Sequence, residues 1–243
     1  MKRLILSLLL FAAPAGAGVA GGAFSDWAAL VVAGDSYSED NKDTAVFDNG
    51  RQTIVKELVG LGFQPGHIRQ LTDWPERFHD AKRVSRPRIA EALDGAAGQA
   101  KAGCFVYLTS HGNTDGIGIG NHMLSPRRLG TMIDHACHNR PAVVVVSACY
   151  SGVFVDRLKS PDRIVMTAAA KDRSSFGCGA TDQFTYFDAC AVESLPKAGD
   201  FASFGQHTLA CVAAREKKER VERPSNPQLV IGDKAAAMPR WSH

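Results

Sequence analysis

A thiol and an imidazole stand 38 residues apart in this chain, each at the end of an apolar run. Cys149 follows Val143-Val144-Val145-Val146-Ser147-Ala148 and precedes Tyr150-Ser151-Gly152. His111 follows Cys104-Phe105-Val106-Tyr107-Leu108-Thr109-Ser110 and precedes Gly112. A free thiol is mostly protonated at neutral pH, and a neighbouring imidazole can take its proton or stabilise the thiolate. The two side chains are therefore the minimum parts of a nucleophile with its acid/base partner. Their chemistry would be attack of sulfur on a peptide carbonyl to give a thioester, His111 passing a proton to the leaving amine. The backbone N–H groups of Gly112 and Cys149 would receive the oxyanion. Glycine suits that position because no Cβ obstructs the substrate.

Such a pair needs a sheet that presents two neighbouring strand ends at one level. Four β-branched residues in a row read as a central parallel strand buried on both faces. Open α/β sheets hold their ligands beyond the carboxyl ends of the strands. The remaining pattern alternates strand and helix. Strands are expected at 27–33, 67–71, 163–168 and 227–232 beside the two that carry the pair. Helices are expected at 47–61, 86–99, from Ser125 onward, at 189–195 and at 201–218. This predicts a mostly parallel sheet of about six strands with helices on both faces. Gly116-Ile117-Gly118-Ile119-Gly120 lacks the Lys-Ser/Thr ending of a phosphate loop and reads as a flexible rim of the site. A long irregular stretch is expected from Ala169 to Thr185.

Lys2 and Arg3, the apolar Leu4–Ala13 and the small residues after Pro14 form the layout of a secretory signal peptide over residues 1–20. That implies export to the periplasm or the extracellular space. Residues 21–243 would then form one domain with its core at about 27–232. The formal net charge is +3, and loss of Lys2 and Arg3 lowers it by two to +1. A balanced charge argues against nucleic acid as a partner, and no later segment is apolar enough to cross a membrane. Six cysteines in an exported chain invite disulfides. Cys178 with Cys190 is the first candidate pair. Cys104 with Cys137 is a second, and Cys211 could compete for Cys137 or Cys190. His135 and His138 flank Cys137 but have no second cluster at metal-ligand spacing, so a helix end is expected there.

The blocks Ser147-Ala148-Cys149-Tyr150-Ser151-Gly152 and Ser110-His111-Gly112 resemble the paired motifs of the legumain-like cysteine peptidases, peptidase family C13, on the caspase-type α/β fold. Met166-Thr167-Ala168-Ala169-Ala170 with Ser174-Ser175-Phe176 is similar to the strand and loop that line that family's primary pocket. Gly62-Phe63-Gln64-Pro65-Gly66-His67-Ile68 is similar to its turn into the second strand. The chain as a whole resembles a compact bacterial branch, a signal peptide before one caspase-like catalytic domain. The resemblance implies a cysteine endopeptidase acting on protein or peptide substrates, with His111 and Cys149 catalytic and without metal or cofactor. It further implies Asp188, Ser147, Ser174 and Ser175 as pocket residues. The chain departs from the family at Ser147, where legumains carry an acid, and near Val46, where they carry a base. Preference for asparagine therefore does not transfer, and Asp188 alone would favour a basic side chain by charge pairing. Asp188 has a second reading as the N-cap of the helix at 189–195. Asp35 reads as a turn residue after the first strand. The same residues would serve a transpeptidase or ligase, in which an amine resolves the thioester, or survive in a caspase-like binding module without turnover.

Overall fold

The computed structural model describes residues 22–242, so the expected signal peptide lies outside the described residues. In chain order the elements are β1 (Trp27–Ala33), α1 (Val46–Gly60), β2 (Ile68–Thr72), β3 (Lys82–Arg83), α2 (Arg86–Gln99), β4 (Gly103–Thr109), β5 (Gly112–Asn113), β6 (Gly116–Ile119), β7 (His122–Leu124), α3 (Pro126–Ala136), β8 (Ala142–Ser147), α4 (Val155–Leu158), β9 (Arg163–Thr167), α5 (Tyr186–Ser194), α6 (Phe201–Lys218) and β10 (Gln228–Ile231).

Burial explains the layers. Every residue of β1, β4, β8 and β9 is buried. Successive side chains of a strand point to opposite faces, so these strands need cover on both sides. Leu30, Val106, Leu108, Val144 and Val146 pack against Leu93 of α2, Ile133 of α3 and Leu158 of α4. Val31, Phe105, Tyr107, Val143 and Val145 pack on the other side against Ile54 of α1, Phe187 of α5 and Phe204 of α6. Helix starts are fixed by side chains. Ser85, Ser125 and Thr185 each accept an N–H of the first turn, and Asp200 forms a capping box with Ser203.

Among the described residues the main sheet has seven strands in the order β10-β9-β8-β4-β1-β2-β3. All neighbours are parallel except β10, which closes one edge antiparallel to β9. The seventh strand is the two-residue β3, too short to leave a periodic signal. A second difference lies after His111. The expected flexible rim is instead a three-stranded antiparallel sheet, β5-β6-β7. Ile117 and Ile119 are buried, and their period of two is that of a strand. Gly116 and Gly120, at φ +145° and +52°, supply the reversals on either side.

The disulfides correct one expectation. Among the described residues, Cys190 is bonded to Cys211 and Cys104 to Cys137, while Cys178 and Cys149 are free. Cys178–Cys190 does not form. Cys190 lies inside α5 and faces α6 in the core, whereas Cys178 packs beside Val46 and Phe47 at the sheet edge.

Candidate active site

Register brings the pair together. Thr109 of β4 is the partner of Ser147 of β8, and the Ser110 N–H donates to the Ser147 carbonyl at 3.1 Å. His111 and Cys149 each lie two residues past that rung. Both line one small pocket with Ser147, Phe176, Cys178 and Thr185. A larger cleft of about 920 Å³ opens at the β2–β3 edge beside Arg69, Lys82 and Glu91. It offers no nucleophile paired with a base, so the small pocket is the candidate.

The imidazole is held on two sides. Its Nε2 lies 2.8 Å from the Tyr37 carbonyl oxygen, and the Phe47 ring meets it edge-on at 5.1 Å between centroids. A carbonyl oxygen only accepts, so this bond places a proton on Nε2, and in the neutral imidazole Nδ1 is then the acceptor. The Tyr37 carbonyl is held by a turn. The Asp35 carboxylate accepts the N–H groups of Ser36 and Tyr37 at 2.8 and 2.9 Å, which is the turn role expected of Asp35. Sequence reasoning missed Tyr37 because a main-chain carbonyl has no residue type to betray it. The Asp35-Ser36 turn was its only available signal.

The thiol sits on a strained bend. Tyr150, the next residue, has φ +58°, a left-handed conformation that costs a non-glycine residue of order 1 kcal/mol or more. The bend persists because its N–H donates to the Arg173 carbonyl at 2.8 Å. Ser151 Oγ accepts the Ala169 N–H at 3.1 Å, and a Cβ on Gly152 would come within 2.4 Å of Lys171 N. The residues after the cysteine thus dock the segment that carries Ser174 and Ser175. The Ser175 N–H donates to Cys149 Sγ at 3.2 Å, and the thiol in turn donates to the Ser175 carbonyl at 3.5 Å. Burial nevertheless pushes the thiol above its ordinary value of 9.0, so the resting sulfur is protonated.

Gly112 lies directly against the nucleophile's backbone. A Cβ there would sit 2.4 Å from the Cys149 carbonyl oxygen, which explains why glycine must follow the histidine. The two main-chain segments named as oxyanion donors are therefore adjacent.

Of the four pocket residues expected, Ser147 and Ser175 line the pocket, and Ser174 does not. Asp188 is corrected on both of its readings. It is fully buried and sits beneath the pocket, accepting hydrogen bonds from the hydroxyls of Tyr107 and Thr109, each at 2.6 Å. The helix begins at Tyr186, and its N-cap is Thr185, whose Oγ1 accepts the Asp188 N–H at 3.0 Å. Burial raises the Asp188 carboxyl above its usual range. Cys178, expected in a disulfide, and Phe47, expected only as a helix residue, both line the site, and neither residue type signals that role in the sequence.

Comparison with known proteins agrees with this geometry. No curated protein matches the sequence. Among solved structures, caspase-1 from Spodoptera frugiperda is similar over 93% of this chain and 94% of its own, with a TM-score of 0.62 at 13% identity. Identity that low speaks for the fold alone, and the fold is a caspase-like α/β sandwich. The description of the peptidase C13 family matches residues 98–219, half of the chain, running from the approach to β4 through α6 with both His111 and Cys149 inside it. With that match laid over the two strand ends and the pocket between them, the chain belongs to the peptidase C13 family.

Proposed function

We propose that this protein is a cysteine endopeptidase in which Cys149 is the nucleophile and His111 the acid/base. The observation that carries the reading is the shared pocket, with a free thiol and an imidazole whose Nε2–H is held by the Tyr37 carbonyl. A thiol raised by burial is a poor nucleophile by itself, so Nδ1 takes its proton as sulfur attacks the substrate carbonyl. The oxyanion is received by the N–H groups of Gly112 and Cys149. His111 then protonates the leaving amine, and water drawn to the same imidazole hydrolyses the thioester. Membership of the peptidase C13 family supports protein or peptide substrates. The amino-terminal pattern supports export to the periplasm or beyond, with residues 21–243 as a single catalytic domain.

The test is labelling by a peptide electrophile together with peptide hydrolysis. Wild type is expected to be labelled at Cys149 and to cleave. Cys149→Ala and His111→Gln should each lower kcat/KM by about 10³-fold or more, with the melting temperature held. Equal labelling of wild type and Cys149→Ala would end the proposal in favour of a binding module. Product analysis with an added amine separates hydrolysis from ligation.

A further inference from the structure

The pocket beside the dyad also limits what it can accept. Its volume is about 10 Å³, the room of roughly one water molecule. Its walls are uncharged, with Phe47, Ser147, Ala148, Phe176, Cys178 and Thr185 among its lining residues. Those walls are braced. Phe47 and Val46 are buried, and Cys178 packs against their cluster. The Phe176 carbonyl accepts the Tyr186 N–H at 2.8 Å. Gly177 turns the chain at φ +83°, where a Cβ would lie 2.7 Å from Tyr186 Cδ1. Tyr186 is itself held by the Arg215 guanidinium, 4.0 Å from its ring centroid. The turn that swings Cys178 toward the dyad is therefore seated on a helix rather than hanging free.

No carboxylate lines the pocket; Glu39, whose charge acts on both Cys149 and Cys178, and Asp182, whose charge acts on Cys178, are exposed outside its walls. The Asp188 carboxylate beneath is occupied on both oxygens by Tyr107 and Thr109. A pocket this small has no room for the length of lysine, arginine or aspartate. It would have to bury the amide of an asparagine with few partners, at a desolvation cost.

We propose that this protein cleaves after glycine, alanine or serine, with Cys178 as the residue that closes the primary pocket to larger side chains. The inference rests on the peptidase reading above and adds the substrate class. A pocket discriminates against an oversized side chain through overlap, and one extra or missing methylene is worth tenfold or more. Cys178 touches the substrate side chain and takes no part in bond making, so it acts on the ratio between substrates.

The experiment is a peptide series that differs only in the residue before the cut, read as kcat/KM, and in parallel as the rate at which matched peptide electrophiles label Cys149. Wild type is expected to favour glycine, alanine or serine over asparagine, leucine and arginine by about tenfold or more. Cys178→Ala should shift the asparagine-to-alanine ratio toward asparagine by about tenfold. Cys178→Ser, which keeps the volume, should hold the wild-type ratio. Equal or better cleavage after asparagine, aspartate or arginine in the wild type overturns this inference and leaves the peptidase reading intact. If Asp188→Asn then removed cleavage after arginine, the buried carboxylate would be the selecting group. Absence of both cleavage and labelling across the whole series overturns the peptidase reading and this inference with it.

Discussion

The bonded cysteines and the free ones occupy regions with opposite demands. Cys104–Cys137 ties the start of β4 to the end of α3 on one face of the sheet, and Cys190–Cys211 ties α5 to α6 on the other. These bridges lie among the apolar side chains of the two core clusters. At the carboxyl edge, Cys149 and Cys178 stay reduced. There the chain contains a left-handed tyrosine, a glycine pressed against a carbonyl and, beneath them, a fully buried carboxyl that is harder to ionise than usual. The scaffold holds its stability where no chemistry happens. The strained Tyr150 stands where a thiol must be exposed to substrate, and it persists because the rigid region over-determines it.

The sharpest way to break this contrast is at Gly112. Gly112→Ala forces a Cβ to 2.4 Å from the Cys149 carbonyl oxygen, so the melting temperature should fall, and kcat read at a temperature where the variant is folded should fall by about 10²-fold or more. If activity survives, the close approach of the two segments is not what holds the site.

In the scaffold the expectation reverses. Replacing both cysteines of either bridge by serine should cost about 3–4 kcal/mol by chain entropy, given sequence separations of 33 and 21 residues. At a temperature where the variant is folded, kcat/KM should change by no more than about twofold. Urea melts paired with steady-state rates check both halves.

The two free thiols differ from each other as well. Burial raises Cys149 above 9.0 and pushes Cys178 up to about 12. Alkylation by iodoacetamide, followed by peptide mass spectrometry, should therefore grow with pH through and beyond 9 at Cys149 and lag far behind at Cys178. A plateau at Cys149 below pH 8 would reveal a resting thiolate–imidazolium pair in place of the neutral dyad.

The smallest effect is expected at Asp188. Its folded-state value lies above the ordinary 3.8. The stability it contributes is present below about pH 3.9 and is lost as pH rises through the folded value. Asp188→Asn does not titrate, so the stability of the variant relative to wild type should increase from pH 4 to pH 8. An unchanged difference would show that the carboxyl is no harder to ionise when folded.

What was legible beforehand divides along physical lines. The expected strand at 27–33 and the helices at 86–99 and 201–218 match the observed bounds, because long runs of one period or a clear cap announce themselves locally. The α5 start was placed three residues late, since Thr185 caps a turn whose first residues are aromatic. The sheet after His111 was read as a loop because its glycines masked the alternation of Ile117 and Ile119.

From the residues alone it followed that His111 and Cys149 would end neighbouring parallel strands, since β-branched runs and a trailing glycine are local properties of the chain. Which cysteines bond, which carbonyl holds the imidazole, and whether Asp188 reaches the pocket or is consumed beneath it were decided only by tertiary packing. Those questions turn on distances between segments far apart in sequence, such as Asp35–Tyr37, Tyr107 and Ser174–Cys178. Spacing along a chain carries no record of such distances.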